Sequence, residues 1–256
     1  MALKSGPDAF LYVGGYNITG DLTEFKDHLE AKTEEVTVLN SSYQLNAPVG
    51  TKMAKLELAG FYNDAALAGV AALANTQVGT VRVAVYGVEG TATGKRFVGW
   101  SGALTAHFER IVARDAISKI TARFENNGIV EPGVVLRPLA AATATGFGVG
   151  NAASASGPAI DFGTSNVSGA AAYLMMTHSS GATSSGVSVE IMHSVDHETW
   201  ASYGGFSNVT ATGPNSSWAQ RINSTAPIQR YVTERHRDAA GSSFSSAVFF
   251  VGLAPH

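Results

Sequence analysis

Apolar and polar residues alternate with a period of two through most of this chain, which is the pattern of half-buried β-strands. Ala54, Leu56 and Leu58 alternate with Lys55 and Glu57, and Val81, Val83 and Val85 alternate with Arg82, Ala84 and Tyr86. Ile120, Ala122 and Phe124 do the same against Lys119, Thr121, Arg123 and Glu125. Ala9–Val13 reads as an early strand, closed by the turn residues Gly14-Gly15-Tyr16-Asn17. Phe97–Glu109 reads as a long strand whose apolar parity switches near Trp100–Leu104, where Gly99 and Gly102 predict a bulge. Asn126-Asn127-Gly128 ends the strand before it, and Ile129–Leu139 closes a first unit.

One segment breaks the period. Leu67, Val70, Ala71 and Ala74 recur at i, i+3, i+4, i+7 within the Ala-rich run 65–74, which predicts a helix packed on the sheet through that face. Asn63 and Asp64 are its N-cap candidates, and Asn75-Thr76 ends it. Lys52–Val88 is therefore expected to run strand, helix, strand, and to organise the first unit.

Residues 139–159 carry no charge and consist largely of Ala, Gly, Ser and Thr, the composition of a flexible linker. Of 17 basic and 20 acidic residues, 13 and 14 lie at or before Arg137. That asymmetry supports a boundary. Beyond it, 170–177, 187–194, 199–209, 217–222, 228–234 and 245–253 read as six short strands between Gly/Ser/Asn/Pro turns, the signature of a β-sandwich. Val248-Phe249-Phe250-Val251 suits a central strand. The expected fold is mainly β: residues 1–139 a β-sandwich or barrel with one flanking α-helix, 140–157 a linker, and 158–256 a C-terminal β-sandwich.

Composition narrows the function classes. The chain has 256 residues and 45% hydrophobic content, enough for a sizeable core, but only 14% charged residues against the ~25% of an ordinary soluble domain. Such a surface is either solvated by Ser, Thr and Gly or covered in an assembly. A net charge of −3 argues against wrapping nucleic acid through its phosphates. There is no cysteine, hence no disulfide framework and no thiol chemistry. Met1–Pro7 leads straight into a strand-like run, so no secretory leader is expected, and no apolar run approaches a membrane span.

Two stretches carry candidate chemistry. Glu24, Lys26, Asp27, Glu30, Lys32, Glu34 and Glu35 form a dense mixed-charge run. It is either a solvated hairpin or loop, or a protruding arm whose charges select a neighbouring subunit. His193, Asp196 and His197 lie with Ser194 and Glu198 in one six-residue segment. Imidazole and carboxylate could ligate a metal there, yet the spacing fits no recognised metal motif, and Asp at such a position commonly caps its own turn. No nucleophile elbow and no phosphate-cradling Gly loop between strand and helix is present, so no catalytic residue and no cofactor is assigned.

Short phrases occur in a set order: Gly-Tyr-Asn-Ile-Thr-Gly-Asp-Leu at Gly15–Leu22, Ala-Pro-Val-Gly at Ala47–Gly50, and Lys-Leu-Glu-Leu-Ala-Gly-Phe-Tyr-Asn at Lys55–Asn63. Gly-Ile-Val-Glu-Pro-Gly-Val-Val-Leu follows at Gly128–Leu136, with His193–Asp196, Gln229–Val232 and a Phe-rich last strand in the second unit. This order resembles the major tail tube proteins of long-tailed bacteriophages. The resemblance implies a structural, non-enzymatic virion protein, assembled in the host cytoplasm, whose tail-tube-like first unit closes into hexameric rings. Rings would stack into a tube that passes DNA, with the second unit as decoration. It implies as partners the chain itself and tail proteins such as the tape measure, terminator and distal tail proteins, with DNA only in transit and no membrane. The alternative is a β-sandwich adhesin or glycan-binding module.

Overall fold

Fifteen strands run through the described residues of the computed structural model, which are 8–35, 46–62, 78–112, 117–144, 157–165, 168–180, 186–209, 218–238 and 244–256. The protein is almost all β, with a curled half-barrel sheet and a second sheet. The helix expected over 64–74, with its packing face Leu67, Val70, Ala71 and Ala74, lies outside the described residues.

The first half supplies β1 (Phe10–Val13), β2 (Tyr16–Asn17), β3 (Leu22–Glu35), β4 (Asn46–Phe61), β5 (Val81–Gly87), β6 (Arg96–Ile111), β7 (Lys119–Asn126) and β8 (Val130–Ala144). β6 is the axis of this half. One edge pairs with β5; the other pairs with β7 along Ala103–Ile111 and with β8 along Arg96–Trp100. β7 and β8 thus lie end to end against one strand, separated by a kink at Asn127-Gly128-Ile129. Bonds from Asn127 N–H to the Gly102 carbonyl and from Ser101 N–H to the Ile129 carbonyl hold that kink. The sheet forks there, since β7 continues to β4 and β3 while β8 continues to a C-terminal strand.

The bulge expected at Gly99–Gly102 is present. Three residue steps on β6, from Trp100 to Ala103, oppose two on β5, from Arg82 to Ala84. The extra residue brings Trp100 and Ala103 onto the same side, and both enter one core cluster. The glycines are required by contact as well as by turn geometry. A Cβ on Gly99 would meet the Tyr173 ring at 2.5 Å, and one on Gly102 would meet the Asn127 carbonyl at 2.6 Å.

The second half supplies β9 (Ile160–Asp161), β10 (Ala170–Ser180), β11 (Val187–Ser194), β12 (Ala201–Gly205), β13 (Trp218–Ser224), β14 (Tyr231–Asp238) and β15 (Phe244–Pro255). All six strands expected beyond the linker correspond to one of these. They do not form a closed unit, however. β13, β10 and β15 extend the first sheet by pairing β15 with β8, and only β12-β11-β14-β9 form the second sheet. β8 also runs past position 139 to Ala144, so the start of the expected linker is strand. Its small side chains explain the difference: Ala140, Ala141 and Ala142 stand opposite Phe249, Val248 and Ala247, where an Ala-rich strand makes room for bulky neighbours.

β10 and β15 separate two cores and are buried on both faces. Phe249, Val251 and Leu253 face the second sheet with Val189, Ile191 and Val232. Phe250 and Ala254 face the barrel interior with Phe10, Tyr12, Phe97, Tyr173 and Met175. A third cluster, around Leu11, Leu56, Tyr86, Trp100 and Phe124, fills the half-barrel of the first half. The seam between β2 and β13 is tight, because a Cβ on Gly15 would lie 2.5 Å from the Trp218 backbone nitrogen.

Candidate assembly interface

Among the described residues β3 is a long edge strand. It pairs only with β4 among the described residues, over a register from Leu22 opposite Gly60 to Glu35 opposite Asn46. One face of its inner half is anchored. Phe25 packs edge-on against Tyr86 at 5.9 Å, and the Tyr86 hydroxyl donates to Asp27 at 2.9 Å. Burial, and then the adjacent Asp27 charge, raises the Tyr86 pKa, so this hydroxyl stays a donor. Opposite Phe25 and Asp27 stand the buried Leu58 and Leu56. A hydrophobic face on one side and an unpaired ladder along the edge make β3 a template for another strand.

The other face of β3-β4-β7 is a lattice of both signs. Lys26 stands opposite Glu57, and Glu57 opposite Arg123; His28 stands opposite Lys55, and Lys55 opposite Glu125. Lys26 also holds Glu24 at 3.0 Å, and Arg123 holds Glu125 at 3.3 Å. Of the charged run singled out from sequence, the structure places Glu24, Lys26, Asp27 and Glu30 exposed on this edge strand. Lys32, Glu34 and Glu35 continue β3, with side chains outside the described residues. The run thus lies on a strand paired antiparallel with β4.

His193, Asp196 and His197 sit at the end of β11, where Asp196 is a turn cap. Its Oδ1 accepts the N–H groups of Glu198 at 2.9 Å and Thr199 at 2.8 Å, while the Ser194 hydroxyl donates to it at 2.9 Å. These amide donors, Thr199 first, hold the Asp196 carboxyl far below the usual range. His197 takes the left-handed backbone, φ 67°, and its ring lies against Trp200 and Tyr231. His193 Nδ1 accepts the Gln229 N–H at 3.3 Å, and burial lowers its pKa. Among the described residues no group of three or more His, Asp or Glu side chains is placed to hold a metal.

Sequence reasoning missed the buried ion pairs. Glu131 of β8 receives Arg221 of β13 through Nε at 2.9 Å and Nη2 at 2.5 Å, with the Tyr173 hydroxyl and His256 Nε2 also on it. Burial pushes the Glu131 pKa up, but the hydrogen bonds from Arg221 and Tyr173 outweigh it and hold the group below the usual value. Glu234, wholly buried, meets Arg137 at 3.1 Å and His236 at 3.0 Å. Arg235 and Arg237 both turn onto Glu190. The available signal was an isolated acid within an apolar run, as for Glu131 in Gly128–Leu136 and Glu190 in Val187–Met192.

No protein-family model and no curated protein matches the sequence. Several solved structures are similar in fold. A chain from the tail of an empty GTA (gene transfer agent) particle, helically refined with C6 symmetry, is 16% identical, with TM-score 0.42, covering 50% of this chain and 97% of its own. The anti-feeding prophage cap, the terminating cap of the AFP tube, is 10% identical, with TM-score 0.40, over 52% of this chain and 93% of its own. The SPP1 Dit protein, from the hub adsorption apparatus of phages infecting Gram-positive hosts, is 10% identical, with TM-score 0.34, over 96% and 98%.

Proposed function

We propose that this chain is a structural virion subunit of a phage-type tail, which assembles with copies of itself into rings that stack as a tube for DNA. The observation that carries this reading is the long outer edge of β3, unpaired among the described residues, with Phe25 on one face and mixed charge on the other. An edge of that length is an aggregation hazard in a monomer, and closure of a ring removes it. A ring forms when a head-to-tail rotation closes, and a filament forms when it does not. The charge lattice of β3-β4-β7 suits a conduit, because a lumen lined by alternating Lys and Glu offers phosphates no continuous cationic track. The partners are the chain itself and other tail proteins; DNA passes without being held.

Negative-stain imaging of the purified protein tests this. Closed rings of uniform diameter, growing into tubes at high concentration, are the expected result. A species that sediments as a monomer up to millimolar concentration overturns the reading.

A further inference from the structure

The β3-β4-β7-β6 sheet ends in two exposed apolar surfaces. At one end, Phe61, Ile111 and Ile117 surround Lys119, which stands opposite both Phe61 and Ile111 in the strand register. Ile117 is 67% exposed, and the neighbouring Val112 is equally open. No described neighbour covers these side chains, and we term this exposed apolar patch the knob. At the other end, where the sheet forks, a groove of about 920 Å³ is lined by Leu29, Met53, Val98, Ile129, Val130 and Pro132. Leu29 is 62% and Ile129 57% exposed. Met53 and Phe61 lie about eight residues apart on β4, so knob and groove are separated by roughly 26 Å of strand.

We infer that the knob of one copy seats in the groove of the next, and that this contact stacks the rings. The inference rests on the ring reading above and names the surface it left open. Three features favour a second copy as the occupant. Knob and groove lie on one chain at opposite ends of the same strands, so one translation along those strands brings them together. The charges are complementary: exposed Lys119 and Arg110 flank the knob, and exposed Glu30 stands at the groove. Finally, a knob that fits a pocket elsewhere on the same molecule is the arrangement that builds open-ended assemblies. Neither surface uses the outer ladder of β3, so stacking and ring closure are separable.

The test uses two double variants of the full chain. Ile111→Asp/Ile117→Asp spoils the knob, and Leu29→Asp/Met53→Asp spoils the groove. All four positions are exposed, and melting curves matching the wild type establish that both variants fold. Ile117→Ser serves as a milder knob variant should the double one melt early. Each variant alone is expected to give single rings and no tubes. A 1:1 mixture retains one intact knob and one intact groove, and is expected to give stacks of two rings and nothing longer. Tubes of wild-type length from either variant, or a mixture that stays as single rings, overturn the contact. Linear wild-type oligomers without rings, dissolved by either variant, uphold the contact and overturn the ring reading. Wild-type rings that never stack overturn the contact alone.

Discussion

Glu131 carries its charge in a position 6% exposed, and what makes that tolerable is the fork of Arg221 together with the Tyr173 hydroxyl. Removing one partner of such a pair leaves the other buried and unmatched, which costs about 3–5 kcal/mol. Arg221→Met is accordingly expected to lower the urea-unfolding free energy by about 3 kcal/mol. The double variant with Glu131→Gln should lose less than the two singles added together, because both act on one network. The acid side of the stability profile follows from two depressed pKa values. His193 titrates below its ordinary 6.5 in the folded chain, so the unfolded chain takes up that proton first. Its contribution is complete above that pH and is lost as pH falls through the folded value, with a slope of at most about 1.4 kcal/mol per pH unit. Glu131 acts in the same sense further down, with loss beginning near 4.5. Urea titrations from pH 7 to 5 are expected to decline less steeply for His193→Asn, which retains an acceptor for the Gln229 amide.

At the scale of the element, β15 and β3 are opposites. β15 is paired on both edges and buried on both faces, so Phe249→Ala should cost about 3–5 kcal/mol, read by chemical denaturation. Among the described residues β3 is paired on one edge only, so alternate residues direct their N–H toward β4 and away from it. Single prolines at Lys26, Asp27 and His28 are expected to fall into two classes. Where the lost N–H bonded β4, the fold is destabilised; where it pointed outward, the protein melts normally and does not assemble. Size-exclusion chromatography combined with thermal melting separates the classes. Uniform behaviour at all three positions would count against β3 as the joining edge.

At the scale of the molecule, the two halves share one sheet. β15, the last strand, lies between β10 and β8, so severing the chain in the expected linker would strip a central strand of one partner. Residues 158–256 expressed alone are therefore expected to be less soluble than the full chain and to bind exposed-apolar-surface dyes. Assembly should weaken with salt where Lys119, Arg110 and Glu30 contribute, and sedimentation velocity between 50 and 500 mM salt reads that effect.

The local periods of this chain determined much by themselves. Strands at 54–58, 81–86, 119–125 and 187–194, the bulge at Gly99–Gly102 and the Asp196 turn all follow from side-chain alternation and turn chemistry within a few residues. That legibility has a physical cause, since alternation records which face of one strand is wet. An Ala-rich strand such as Leu139–Ala144 leaves no such record. Only the tertiary structure decided that the two halves join through β8 and β15, that Glu131 meets Arg221 ninety positions away, and that β3 is an edge strand among the described residues. Pairing partners are chosen by long-range register and packing, which no short window of sequence contains.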